Sequence, residues 1–206
     1  MKKIAVFSMF AVLMAFAAGP LAFAEEAGKA PAAAPAAAPA AAPAAAVPAA
    51  PPKPQTFVED RVAKVGDKAI DFALFDTTGE KLVSFADLNK GTKKVMAIVF
   101  LNSTCSSCVN EAELLATMKN KYKEDLHLVA VVTDLSPKVF ESSASESVRK
   151  AFTAVLDPKF DVPPAYGFNF TPGLVLIKGG KVSALKGGFI PGKDDKELVD
   201  LIKGSM

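Results

Sequence analysis

The sequence predicts an α/β domain with a central sheet flanked by helices and with extra strands on its N-terminal side. Three observations carry this. Val95-Met96-Ala97-Ile98-Val99-Phe100-Leu101 is an unbroken apolar run of strand length. It lacks polar alternation, so both of its faces are expected to be buried, as in a central strand of an α/β sheet. Capping residue types and an apolar pattern at helical spacing follow it at once. The part of the chain with varied composition, Gln55 to Met206, is about 150 residues, the size of one domain with one core.

Phe57 to Phe85 mixes short apolar runs with turn signals. Asp76-Thr77-Thr78-Gly79 separates Ile70–Phe75 from Lys81–Phe85 and predicts a hairpin or tight turn. Ser84 or Asp87 can open a short helix that ends near Gly91. After the apolar run, Asn102-Ser103-Thr104-Cys105 is rich in capping types, and Leu114, Leu115, Met118 and Tyr122 recur at helical spacing. A helix is therefore predicted from about Cys105 to about Tyr122. Leu126 to Val132 predicts a second buried strand. Pro137 can open a further helix over roughly Lys138 to Phe152, and Val155-Leu156-Asp157-Pro158 ends in a turn. Leu174–Ile177 and Val182–Leu185 flank Lys178-Gly179-Gly180-Lys181, a hairpin signal. Leu198, Leu201 and Ile202 mark a last amphipathic helix. The predicted core order is β-α-β-α-β-β-α.

The N-terminal region has a different character. Lys2 and Lys3 precede an apolar run from Ile4 to about Ala18, and Ala22-Phe23-Ala24 offers small residues where a signal peptidase reads them. This is the layout of a secretory signal peptide over residues 1–24. The apolar run is short of the roughly 20 residues that a spanning helix needs. An uncleaved signal serving as a membrane tether is the alternative. No cysteine lies near the cleavage site, which excludes a lipoprotein anchor. Residues 25–54 form a linker, almost all Ala and Pro from Gly28 onward. It cannot bury a varied core, so it is either an extended spacer or a solvated tail. The expected location is the periplasm or another exported compartment.

Removing residues 1–24 takes away two lysines and no acid, so the formal charge falls from +2 to 0. A neutral chain without a basic block gives no support for nucleic-acid binding. The single histidine, His127, alternates with leucines in a strand pattern, where a structural role is the common one.

The two cysteines, Cys105 and Cys108, are three positions apart in a chain expected to meet oxidising conditions. A structural bridge across so short a loop would constrain the unfolded chain little. Zinc commonly takes four ligands, and one pair with one distant histidine does not supply them. Cu(I) could accept the two thiolates alone. The position favours a redox pair. At a helix N-terminus the free N–H groups and the partial positive charge stabilise a thiolate. Cys105 is then the more exposed, attacking residue, and Cys108, one turn on, the buried resolving one.

With these residues the sequence resembles the thioredoxin superfamily, in its TlpA/ResA-like periplasmic branch, which borders the redoxin and peroxiredoxin-like proteins. The resemblance runs from about Val65 to Lys203. It rests on Val65–Phe72, the strand with Cys105–Cys108, Glu111, Val155–Pro158, Ala165–Phe168 and Phe170-Thr171-Pro172-Gly173. It implies a thioredoxin-like fold with a central mixed sheet. It also implies a cis bond before Pro172, with Thr171 and Pro172 lining the groove where a partner's chain lies beside Cys105. Thr104 stands where the family has Trp, and Val99 where ordinary thioredoxins bury an acid. Glu111 is then the nearest candidate for proton transfer with Cys108, although a Glu early in a helix is commonly a solvated residue favoured by the dipole.

The function implied is thiol–disulfide exchange with disulfide-containing protein substrates, as a reductase, for example in cytochrome c maturation. No cofactor is implied, and a membrane electron donor would keep the pair reduced. Two alternatives stand beside it. One is a peroxiredoxin-like thiol peroxidase, which needs an arginine near the cysteine and could draw only on Arg61 or Arg149. The other is a Cu(I) metallochaperone.

Overall fold

The computed structural model describes residues 55–206; the predicted signal peptide and linker lie outside them. The described chain forms β1 (Phe57–Val58), β2 (Phe72–Asp76), β3 (Leu82–Ser84), α1 (Phe85–Lys90), β4 (Val95–Leu101), α2 (Ser106–Tyr122), β5 (Leu126–Val132), α3 (Pro137–Ser143), α4 (Glu146–Ala151), β6 (Phe152–Leu156), α5 (Val162–Ala165), β7 (Gly173–Lys178), β8 (Lys181–Gly187) and α6 (Asp195–Ser205).

The sheet is mixed, in the order β1-β2-β6-β5-β4-β7-β8, with β3 paired to β2. β4, β5 and β6 run parallel, while β7 is antiparallel to β4 and β8 to β7. β4 lies in the middle, and all seven of its residues are buried. Its side chains alternate between two cores, as a strand's twofold period demands. Met96, Ile98 and Phe100 join the cluster that holds Phe72, Tyr166 and Phe168. Val95, Ala97, Val99 and Leu101 join the one that holds Cys108, Leu115, Leu198 and Ile202. Continuous hydrophobicity in the sequence thus corresponds to burial on both faces.

Turn chemistry sets several boundaries. Ser84 caps α1, its hydroxyl accepting from Asp87 N at 3.1 Å. The β7–β8 turn places Gly179 and Gly180 at φ 58° and 76°, values that glycine adopts without strain. Tyr166 Oη accepts from Ile70 N at 3.0 Å and Ala165 O from Ala63 N at 2.8 Å, which ties the N-terminal segment to the core.

One region departs from expectation. The single helix predicted over Lys138–Phe152 is two short helices, and a strand not predicted as such, β6, follows them. Ser145 starts the second helix by accepting from Val148 N at 3.2 Å. Arg149 Nη1 donates to Glu141 O at 2.8 Å and Ala144 O at 2.6 Å, satisfying carbonyls at the end of the first. Phe152 then pairs with Leu128 in a parallel ladder. The predicted turn begins only at Asp157. The short helix α5 was also absent from the expected order, since Pro163 and Pro164 mask its single turn. Among the described residues, no helix is long and apolar enough to cross a membrane.

Candidate active site

The carboxyl ends of β4 and β5 carry the chemistry-bearing loops. After Leu101 the chain turns through Asn102-Ser103-Thr104. Asn102 O accepts from Cys105 N at 3.0 Å, and Asn102 Oδ1 accepts from Thr104 N at 3.0 Å. Asp134, buried just beyond β5, holds this turn from the side. Its two carboxylate oxygens each lie 3.1 Å from Ser103 N, and Oδ2 also accepts from Ser103 Oγ.

This clamp sets Cys105 at the N-cap of α2. Its sulfur accepts from Cys108 N at 3.1 Å, and its carbonyl from Val109 N at 3.2 Å. Cys105 and Cys108 are joined in a disulfide with Cα atoms 5.2 Å apart. Cys105 is half-buried, whereas Cys108 is 1% exposed and packs in the core beside Ala112 and Leu115.

Glu111 is not the solvated first-turn acid that helix position alone suggests. It is the sixth residue of α2, on the Cys108 side of the helix, and 1% exposed. Its Oε2 has no hydrogen-bond partner among the described residues. Burial pushes its carboxyl up to about 8; the Lys186 charge opposes this and Asp194 adds to it. Lys186, on β8, lies 3.2 Å from Glu197 Oε2 and 3.8 Å from Asp194 Oδ2. Sequence reading did not single out Asp134, Lys186 or Asp194. Each is distant in sequence from the cysteines and carries no local signature.

The Thr171–Pro172 peptide is cis. The register pairs the next residue, Gly173, with Phe100 near the end of β4, so Thr171 and Pro172 lie at the Cys105 end of the sheet. His127 does not join this group. It pairs with Met96 at the other end of β4, where Nδ1 lies 3.1 Å from Thr92 Oγ1. Burial lowers its pKa. Among the described residues, no group of three or more His, Cys, Asp or Glu side chains could hold a metal ion.

This arrangement has known relatives. The profile of the AhpC/TSA family matches residues 65–195. The chain belongs to the AhpC/TSA family. The protein is similar to the thiol-disulfide oxidoreductase ResA of Halalkalibacterium halodurans, at 24% identity over 71% of this chain and 82% of that one. Among solved structures, it is similar to a protein of Chlorobium tepidum assigned as the thiol:disulfide interchange protein DsbE, at 32% identity and a TM-score of 0.58. That match covers 69% of this chain and 98% of the other. A thioredoxin domain of a thiol-disulfide oxidoreductase from Bacteroides vulgatus matches at 25% identity and a TM-score of 0.55, over 69% and 99% of the two chains. The expected thioredoxin-like fold and the ResA-like kinship are thus both found, and this AhpC/TSA protein is a thiol–disulfide oxidoreductase.

Proposed function

We propose that this protein is an exported disulfide reductase acting on protein substrates through Cys105 and Cys108. The observation that carries the reading is a bridged pair at a helix N-terminus with the first cysteine half-buried and the second fully buried. In the reduced protein, the Cys105 thiolate attacks one sulfur of a partner disulfide. The partner's other sulfur leaves as a thiolate and takes a proton. Cys108 then loses its proton and attacks Cys105 Sγ, expelling the second partner sulfur and forming the Cys105–Cys108 bridge. The partner gains two electrons, which the cysteine pair loses; its two protons balance the one Cys108 gives up and the one Cys105 released on becoming a thiolate. A dithiol donor in the membrane restores the pair by the reverse exchange.

Glu111 is the proposed acceptor of the Cys108 proton. Burial pushes its carboxyl up to about 8, above the ordinary carboxylate range and toward that of thiols, which suits it to exchange a proton with a cysteine. Thr171 and Pro172 line the proposed groove for the partner's chain. Export rests on the signal-like residues 1–24; residues 25–54 would act as spacer.

The arginines favour exchange over peroxide reduction. Arg61 Nη2 donates to Lys68 O at 2.8 Å and Ala69 O at 2.9 Å, and its Nε to Glu59 Oε1 at 2.7 Å. Arg149 is held by backbone carbonyls at the end of α3. Neither guanidinium takes part in the hydrogen bonds around Cys105. His127, engaged at the other end of β4, likewise gives a copper carrier no third ligand beside the pair.

The test is the reduction potential of the pair, read by equilibration with a graded thiol buffer and trapping of free thiols. A value near that of thioredoxin, about −270 mV, is expected for a reductase, and a value near about −120 mV would mark a disulfide-inserting oxidant instead. Cys108→Ser is expected to accumulate a mixed disulfide through Cys105. If no reversible two-electron transition is found, the exchange reading fails.

A further inference from the structure

A lysine sits on the apolar face of the sheet that packs against the cysteine pair. In the strand registers Lys186 on β8 lies opposite Leu174 on β7, and Leu174 lies opposite Val99 on β4. Directly opposed residues share a face. Lys186 therefore belongs to the face on which Val99 and Leu174 pack with Cys108, Leu115 and Leu198. Its side chain is only 12% exposed. A lysine is seldom so deep unless acids compensate it. Asp194, 15% exposed, and the more exposed Glu197 do so at 3.8 and 3.2 Å. Asp194 is itself fixed, because its Oδ2 accepts from Ile190 N at 2.8 Å.

Glu111, buried on α2 three residues beyond Cys108, makes no ion pair with this group, and its Oε2 has no hydrogen-bond partner among the described residues. The charges on this side are Lys186 from β8 and Asp194 and Glu197 from α6, while β7 and β4 contribute the apolar Leu174 and Val99. Glu113, on the same helix, bonds Ser147 of α4 instead. Lys186 and Asp194 reach Glu111 through space. Burial drives the carboxyl toward its protonated form, the Lys186 charge acts against this, and the Asp194 charge adds to it. Only ionised Glu111 can take a proton, and a fixed charge in a water-poor setting acts without contact. We propose that Lys186 is a positioning residue for the exchange reaction: its ammonium, held by Asp194 and Glu197, is the counter-charge that keeps part of Glu111 ionised and able to take the Cys108 proton. In that step the proton passes from Cys108 Sγ to a Glu111 oxygen. The Cys108 thiolate bonds to Cys105 Sγ, and the partner's sulfur leaves with the bonding pair. Lys186 keeps its proton throughout. This rests on the exchange reading and on Glu111 as the proton acceptor.

The test mixes reduced protein with one equivalent of 5,5′-dithiobis(2-nitrobenzoate). Attack by Cys105 on the reagent releases one coloured thiolate. Attack by Cys108 on the resulting mixed disulfide releases the second, in a first-order step followed from pH 6 to 9. Lys186→Met should slow the second release about threefold at pH 7, which corresponds to moving the Glu111 midpoint up by about half a pH unit. Asp194→Asn, which keeps an oxygen for Ile190 N, should speed it by a similar factor. The rates should converge well above pH 8, where Glu111 is ionised in every variant. Lys186→Arg should retain the original profile, and in a Glu111→Gln background neither substitution should matter. The carboxyl carbon resonance of Glu111 in the oxidised protein, assigned by its loss in Glu111→Gln, should titrate at higher pH in Lys186→Met and at lower pH in Asp194→Asn. A slowing that is equal at every pH, a slowing that persists in the Glu111→Gln background, or a Glu111 midpoint that neither substitution moves overturns the assignment. Two other results remove the readings beneath it, and the assignment with them. A second release unaffected by Glu111→Gln alone shows that Glu111 is not the proton acceptor, and the absence of a second release in the unaltered protein ends the exchange reading.

Discussion

The turn after β6 and the first turns of α2 each bury one carboxylate, and they treat it in opposite ways. Asp157 Oδ1 accepts from Asp161 N and Oδ2 from Val162 N, both at 2.9 Å, at the start of α5. Burial raises its pKa while these bonds pull it back. Glu111 is equally buried, but its Oε2 has no partner among the described residues, and no backbone N–H offsets the burial. Asp157 serves the backbone next to it, so it is scaffold. Glu111 is held in an unfavourable setting by the rest of the fold, one helical turn from Cys108. Unsatisfied ionisable groups of that kind concentrate at functional sites.

The widest separation between the two regions should appear in the pH dependence of stability. The Glu111 carboxyl is raised from an ordinary 4.5 to about 8. Its contribution is therefore fully present below pH 4.5. It falls as pH rises toward 8, because only the unfolded chain is ionised across that window, and then levels off. The slope approaches about 1.4 kcal/mol per pH unit, on the order of 5 kcal/mol in all as an upper bound. Urea unfolding of the oxidised protein from pH 4 to 9 should show this decline, and Glu111→Gln should flatten it. A slope that survives in the variant would assign the titration to another group.

Asp157→Ala should act with the opposite sign at neutral pH. It leaves two N–H groups without acceptors and should cost about 2–3 kcal/mol, seen as a lower urea midpoint. If the midpoint does not move, the contrast between scaffold and site is wrong. Asp134→Ala should give the smallest change, about 1–2 kcal/mol, through loss of the Ser103 bonds. Asp134→Asn, which keeps one oxygen acceptor, should lose less. The same loop leads into Cys105, so thiol trapping should show faster modification of Cys105 in reduced Asp134→Ala.

Much of this architecture was readable in advance where local chemistry and burial agree. The strands Val95–Leu101 and Leu126–Val132 and the helix ending at Tyr122 lie within a residue of their predicted bounds, because an apolar run and a capped apolar stripe each admit one solution. The segment 137–156 was not readable. Its break at Ala144 depends on Arg149 reaching back to carbonyls of the preceding helix, and β6 exists because β5 offers it an edge. Neither is a property of the segment alone.

The same division holds at the site. Two cysteines three apart, after a strand and at a helix start, favoured a redox pair by themselves, since that spacing is a local matter of one helical turn. Phe170-Thr171-Pro172 could be matched to a family pattern, and the register of β7 against β4 then decided that it shares the Cys105 end. The burial of Glu111, the Asp134 clamp and the placing of Lys186 on the Cys108 face of the sheet were decided only by tertiary structure. Each depends on groups brought together from separate strands and helices, and desolvation and van der Waals contact act through space with no trace in sequence order.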